Sequence, residues 1–292
     1  MRSLFSTGRA RFWARAALYG GLVLVGLPAA FSQVLIATAR QPASPARPPW
    51  QELAVRSSDG LRLRAWLDPG DASRAAFVLV HGLGDSLESQ TGSGERLHAR
   101  GHSVLLLDLR GHGGSEGRYT TLGGREREDV RGALAALHER GRGRAGFALM
   151  GASMGAVAVL RAAAQEPDVR AVVAEAPYDD YRGTVVHHAR LYYGMPEWLP
   201  LIPAAIAVAE WRAGFDASEV SAVEAARRTR AALLVILDAN DNRMPEAVVR
   251  RVFEAHPGPK RFWTAPGAGH AGAPSAPGYW ETVLGFLDQS GV

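Results

Sequence analysis

The pentapeptide Gly151-Ala152-Ser153-Met154-Gly155 follows a short apolar run, Phe147–Met150, and precedes a helical pattern that reaches Gln165. A turn this tight between a strand and a helix strains the backbone at the serine. Small neighbours let the chain reverse, so the hydroxyl projects from the sheet edge at a helix N-terminus. A serine hydroxyl is a weak nucleophile until a base takes its proton. His270, in the glycine-rich Gly267-Ala268-Gly269-His270 after the strand-like Arg261–Thr264, is the candidate base. A carboxylate must then fix the imidazole tautomer and stabilise the imidazolium. Asp241, in the loop after the apolar run Leu233–Leu237, is the first candidate. Asp238 in the same loop, and Asp179 or Asp180 after the preceding strand, are alternatives. Two N–H donors are needed to hold an oxyanion. The Met154 amide, next after the serine, and the Leu83 amide in His81-Gly82-Leu83-Gly84-Asp85 are in position to supply them. His81 reads as a brace for that loop, not as a second base.

With 33 glycines in 292 residues, a G-x-S-x-G would arise by chance roughly 0.2 times in such a chain. Its weight therefore comes from the elements around it. Ala54–Arg56 and Leu61–Leu67 alternate apolar and polar residues about Ser58-Asp59-Gly60, the pattern of a hairpin. Ala75–Val80, Val104–Leu107, Phe147–Met150, Ala171–Ala174 and Leu233–Leu237 are apolar runs that suit strands covered on both faces. Helical patterns at Glu95–Arg100, Arg125–Arg140, Met154–Gln165 and Glu246–Glu254 alternate with them. This predicts an α/β fold with a mostly parallel central sheet and helices on both faces. Residues 179–215 break the rhythm with aromatics, prolines and the apolar WLPLIPAAIAVAEW, and are expected to form a helical cap over the strand ends.

The segments HGLGD, DLRGHGGSEG (Asp108 to Gly117), GASMG, LDANDNRMP and GAGH stand in an order that resembles the α/β-hydrolase superfamily. The branch most resembled is the serine aminopeptidase and monoacylglycerol-lipase-like group, whose bacterial members often carry an N-terminal membrane segment. The resemblance covers residues 51–292. It implies Ser153 as nucleophile, Asp241 as acid, His270 as base, and the Leu83 and Met154 amides as oxyanion hole. It also implies a structural role for Asp108 to Gly117. The chain departs from the pattern after the seventh strand, where relatives usually carry a glycine and this chain has Asp238-Ala239.

The expected chemistry is cleavage of a carboxylic ester of a small acyl substrate, without cofactor or metal. A serine peptidase is the alternative, with Glu175, Asp179 and Asp180 available to receive a substrate amine. A non-catalytic anchored binding protein is a third reading. His187-His188 has the look of a metal pair, but sequence neighbours on a helix point apart and no second ligand set accompanies them.

The absence of cysteine excludes disulfides and thiolate chemistry. The net charge of +4 arises in the first fifty residues, which hold six arginines and no acid; the remainder has 27 basic against 29 acidic residues. That distribution argues against a nucleic-acid partner. Ala16–Ala39 is uncharged and long enough to cross a ~30 Å apolar layer. Arg9, Arg11 and Arg15 precede it, which predicts an anchor with its N-terminus in the cytoplasm and the main domain outside. Ala37-Thr38-Ala39 offers the alternative of a cleaved signal and a secreted protein. Residues 1–40 are thus expected to be an anchor or signal segment. The proline-rich residues 41–50 should act as a tether that sets this segment apart from the domain and its chemistry.

Overall fold

The computed structural model describes residues 3–38 and 40–292. Eight strands form one sheet: β1 (Gln51–Arg56), β2 (Arg62–Asp68), β3 (Ala76–Val80), β4 (Ser103–Leu107), β5 (Phe147–Ala152), β6 (Val169–Glu175), β7 (Ala232–Asp238) and β8 (Lys260–Ala265). Their order across the sheet is β1-β2-β4-β3-β5-β6-β7-β8. The β1–β2 hairpin and the β2–β4 pair are antiparallel, and every other pair is parallel.

The unbroken apolar runs follow from burial on both faces. Ala76, Val78 and Val80 of β3 enter one core, while Phe77 and Leu79 enter the other. Strands β4, β5 and β7 alternate in the same way. The first core is covered by α4 (Glu126–Glu139), α5 (Met154–Ala163), α8 (Ala222–Arg228) and α9 (Glu246–Ala255). The second is covered by α3 (Thr91–His98) and α10 (Tyr279–Gln289). Burying one such leucine or phenylalanine side chain contributes about 1.5–3 kcal/mol, and both faces of the central strands gain it.

Between β6 and β7 the chain leaves the alternating pattern. Asp180 caps α6 (Tyr181–Tyr193) by accepting the Gly183 N–H at 2.8 Å, and α7 (Leu201–Ala213) follows. Gly194 and Gly214 end these helices in the left-handed conformation.

At the N-terminus, α1 (Ser3–Gly21), a π-helical turn (Leu22–Gly26) and α2 (Leu27–Ile36) form a continuous helix. The π turn ends two residues before Pro28, which has no N–H to donate into the helix ladder. Two expectations change here. First, α2 does not stand apart: Pro28, Ser32 and Ile36 form a buried stripe, and α2 packs along α7. Arg212 of α7 donates to Ser32 Oγ at 3.0 Å and to the Ala29 carbonyl at 3.4 Å. Second, the stretch from Gln41 to Pro49 is not a free tether. Its backbone and side chains bond to Gly84 (3.2 Å), Glu88 (3.0 Å) and Glu52 (3.0 Å). Trp50 at its end is buried against Gly94 of α3, where an added Cβ would lie 2.5 Å from the indole ring. Prolines limit the freedom of this stretch, so little entropy opposes laying it down. Of the small-residue cleavage pattern Ala37-Thr38-Ala39, Ala39 lies outside the described residues.

Candidate active site

Ser153 stands between β5 and α5 with φ 53° and ψ −117°, a conformation rarely adopted by a residue with a side chain. The two glycines of its motif make that turn possible by close approach. A Cβ on Gly151 would lie 2.6 Å from the Gly155 carbonyl carbon and oxygen. One on Gly155 would lie 2.5 Å from the His81 carbonyl oxygen and 2.7 Å from that of Val80. Both obstacles are backbone and cannot swing aside. Gly155→Ala is therefore expected to destabilise the fold by about 1–3 kcal/mol. In a thermal melt that is a fall of roughly 2–4 °C per kcal/mol.

His270 bridges two partners. Its Nε2 lies 2.9 Å from Ser153 Oγ and its Nδ1 lies 2.7 Å from Asp241 Oδ2. In the tautomer that satisfies both contacts, the Ser153 hydroxyl donates to Nε2 and Nδ1–H donates to the carboxylate. Burial works against a charge on Asp241. The hydrogen bond and positive field of His270, with the amides of Arg243 and Met244, nevertheless hold its pKa below the ordinary carboxylate value. Those amides reach Asp241 Oδ1 at 2.7 and 3.2 Å, leaving Oδ2 for the imidazole.

The competing acids are engaged elsewhere. Asp238 accepts the Ala271 N–H at 2.7 Å. Asp179 takes the Arg251 guanidinium, with Nε at 2.9 Å. Asp180 is the cap of α6. Leu83 and Met154 line the same cavity as Ser153, and Met154 is the first residue of α5, where helix N–H groups are unpaired and the dipole is positive. His81 is fully buried; its Nδ1 lies 2.7 Å from the Gly82 carbonyl and its Nε2 accepts the Leu109 N–H at 3.1 Å. Burial, reinforced by the nearby His112, pulls its pKa down to about 4, so it stays neutral as it braces the Leu83 loop. Asp108 likewise bonds inward, to the amides of Leu87 (2.8 Å) and Gly114 (2.9 Å).

Glu175, at the end of β6, has a part in the site that its sequence position did not reveal. It accepts the Ala273 N–H at 2.8 Å while Asp238 holds Ala271, so the two carboxyl groups clamp the first and third residues after His270 on its loop. Asp238 Oδ1 is buried with no donor unless Glu175 carries a proton. Burial, with the negative field of Asp238 added, raises the Glu175 pKa to about 8. The folded protein thus binds a proton that the unfolded chain releases near 4.5. This contribution to stability is full below that value and lost as pH rises from about 4.5 through about 8. Glu175→Gln, which keeps a permanent donor toward Asp238 and an acceptor for Ala273, is expected to flatten the fall of melting temperature across that window.

The cavity above Ser153 has a volume of about 750 Å³. Its walls include Leu122, Val185, Ala189 and Tyr192, together with Phe31, Val34 and Leu35 of α2. The N-terminal helix, expected to be separate from the chemistry, is one of its walls. His188 also lines it, and burial and the neighbouring His187 lower the His188 pKa to about 4. His187 reaches toward the Asn242 carbonyl instead, at 3.5 Å.

Residues 71–213 match the family model described as serine aminopeptidase, S33. YqkD of Bacillus subtilis, itself uncharacterized, is 31% identical over 192 residues, covering 64% of this chain; the chain spans 63% of that relative's length. An uncharacterized Mycobacterium tuberculosis protein is 28% identical over 232 residues, covering 78% of this chain and 75% of its own length. Among solved structures, the Pyrococcus furiosus esterase Pf2001 superposes with a TM-score of 0.68 at 22% identity, over 86% of this chain and 98% of that one. With a mostly parallel eight-stranded sheet and a strained serine turn after β5, the chain has the α/β-hydrolase fold.

Proposed function

We propose that this protein is a serine hydrolase that cleaves carboxylic esters through an acyl-enzyme. The observation that carries the reading is the His270 bridge between Ser153 and Asp241. As Ser153 Oγ attacks the ester carbonyl, His270 Nε2 takes its proton. The carbonyl oxygen becomes an oxyanion in reach of the Met154 and Leu83 amides. Collapse of the adduct breaks the bond to the alkoxy oxygen, which takes the proton from His270. Water then repeats the sequence on the acyl-enzyme, releasing the acid and restoring the serine. Asp241 stays ionised throughout and stabilises the imidazolium. Each oxyanion donor in such a site contributes about 2.7–4 kcal/mol to the barrier.

Ester is favoured over peptide by the fate of the three carboxylates that the sequence offered to a substrate amine. Asp179 is paired with Arg251, Asp180 caps α6, and Glu175 is held neutral on the His270 loop. The cavity has an apolar side, formed by Leu122, Val185, Ala189 and the α2 residues Phe31, Val34 and Leu35, that suits an acyl chain. The α6–α7 insertion acts as a cap, and residues 3–36 as a retained membrane anchor. Cleavage after Ala39 would strip α2 from α7 and remove Phe31, Val34 and Leu35 from the cavity wall.

The test is labelling of the folded protein with a fluorophosphonate, followed by acyl esters of graded length and aminoacyl-nitroanilides. Labelling is expected on wild type and absent from Ser153→Ala, with turnover of the esters. Turnover confined to the nitroanilides would reverse the ester assignment. Labelling that persists in Ser153→Ala would remove the serine assignment.

A further inference from the structure

We propose that the cap and the N-terminal helix sit together in the interfacial layer of a bilayer. The cavity is then entered from the lipid, and its substrates are acyl esters resident in the membrane. The substrate class rests on the ester-hydrolase reading; the seating does not.

The first ground is length. The uncharged run before α2 is Ala16–Gly26, eleven residues, or about 16 Å of helix. That is roughly half of a ~30 Å apolar core. Only with α2 included does the helix become long and apolar enough, as Gly8–Ile36, to cross a membrane. Yet α2 is packed on α7, so wherever α2 sits, α7 goes with it.

The second ground is the outward face of α7. On a helix at a water-facing surface that face is polar. Here the exposed positions are Pro203, Ala207 and Trp211, spaced four apart, with Ala204 and Val208 half-buried beside them. Its inward face is apolar too, with Ile202, Ala205, Ile206 and Ala209. A helix apolar around most of its girth has no water-facing side to offer. Trp211 is 83% exposed and Trp198, in the α6–α7 connection, 79%. Tyr192 and Tyr193 are each more than half exposed. Tryptophan and tyrosine are the side chains enriched where a bilayer meets water. Arg190 and Glu197, paired at 3.8 Å and both exposed, stand among them as groups for the headgroup layer.

The third ground is where the cavity opens. Its exposed wall residues include Val34, Tyr192 and Tyr193, which puts one side of its rim between α2 and α6. Phe31 of α2 meets Tyr193 of α6 edge to face, with ring centroids 5.5 Å apart. An acyl chain leaving the bilayer along α2 would pass from lipid to an apolar wall without crossing water.

The experiment uses the full chain reconstituted in phosphatidylcholine vesicles. Brominated phosphatidylcholine is expected to quench wild-type tryptophan emission more strongly than that of Trp198→Phe/Trp211→Phe. Equal quenching of the two proteins would overturn the seating, whether or not any ester is cleaved. In the same vesicles, Ala207→Glu/Trp211→Glu is expected to lower hydrolysis of a vesicle-embedded long-chain acylglycerol at least tenfold. Its kcat/KM on a soluble butyrate ester should stay within twofold of wild type; neither residue lines the cavity. An unchanged rate on the embedded ester would overturn the lipid route. If wild type cleaves neither ester while the quenching difference holds, the esterase reading and the substrate class fall and the seating stands.

Discussion

Ser153→Ala is expected to lower kcat/KM for an acyl ester by at least ~10⁴-fold, with the melting temperature within a few degrees of wild type. The magnitude follows from what is lost and what remains. Without the hydroxyl, no acyl-enzyme forms, and His270 has only water to activate. The oxyanion donors and the apolar cavity survive, and in triad enzymes these alone leave ~10³–10⁴-fold over the uncatalysed rate. Double substitution with His270→Ala should cost little more than the first, because residues acting as one unit lose their effect together. Steady-state kinetics on the graded ester panel checks the size, and thermal melting checks that the fold is intact. Turnover within tenfold of wild type by folded Ser153→Ala would remove the serine from the mechanism.

The second large effect separates two acids three residues apart. Asp241→Asn is expected to lower kcat by ~10⁴-fold, because an amide can present its N–H to Nδ1 and favour the tautomer that leaves Nε2 protonated and unable to act as base. Asp238→Asn should lower kcat by roughly tenfold or less. Asparagine keeps an oxygen for the Ala271 amide, and its loss is of loop support at a distance from the reacting atoms. Equal losses in the two variants would mean that the loop, not the carboxylate, is the critical feature.

How much was legible beforehand depended on the range of the interaction. The central strands could be read from their apolar runs because burial on both faces leaves no polar register to interpret, and the observed bounds differ from the expected ones by a residue or two at most ends. The helices α8 and α10 were not anticipated. With seven residues α8 is too short for a clear period, and α10 follows the irregular loop around His270. The serine turn was legible because its cause is local, being the steric demand that Gly151 and Gly155 relieve. That Ser153, Asp241 and His270 would be brought together was legible from their order along the chain, a fold-level and not a local cue.

Asp238 and Asp241 share a loop and a chemistry, so composition could only rank them. The turn that follows β7 aims Asp241 at Nδ1 of His270 and Asp238 at a backbone amide. Glu175 could be seen as an acid after a strand, but its held proton arises from a neighbour sixty-three positions away and from burial by both.

The amino-acid sequence by itself determined the α/β architecture, the strained serine and the apolar N-terminal helix, because each follows from local sterics or from the period of burial. Tertiary structure alone decided which carboxylate meets the imidazole. It also joined α2 to the cavity wall, through packing on a helix some 180 residues distant in the chain. Such contacts depend on how far the sheet twists and where each loop returns, and no short-range pattern encodes either.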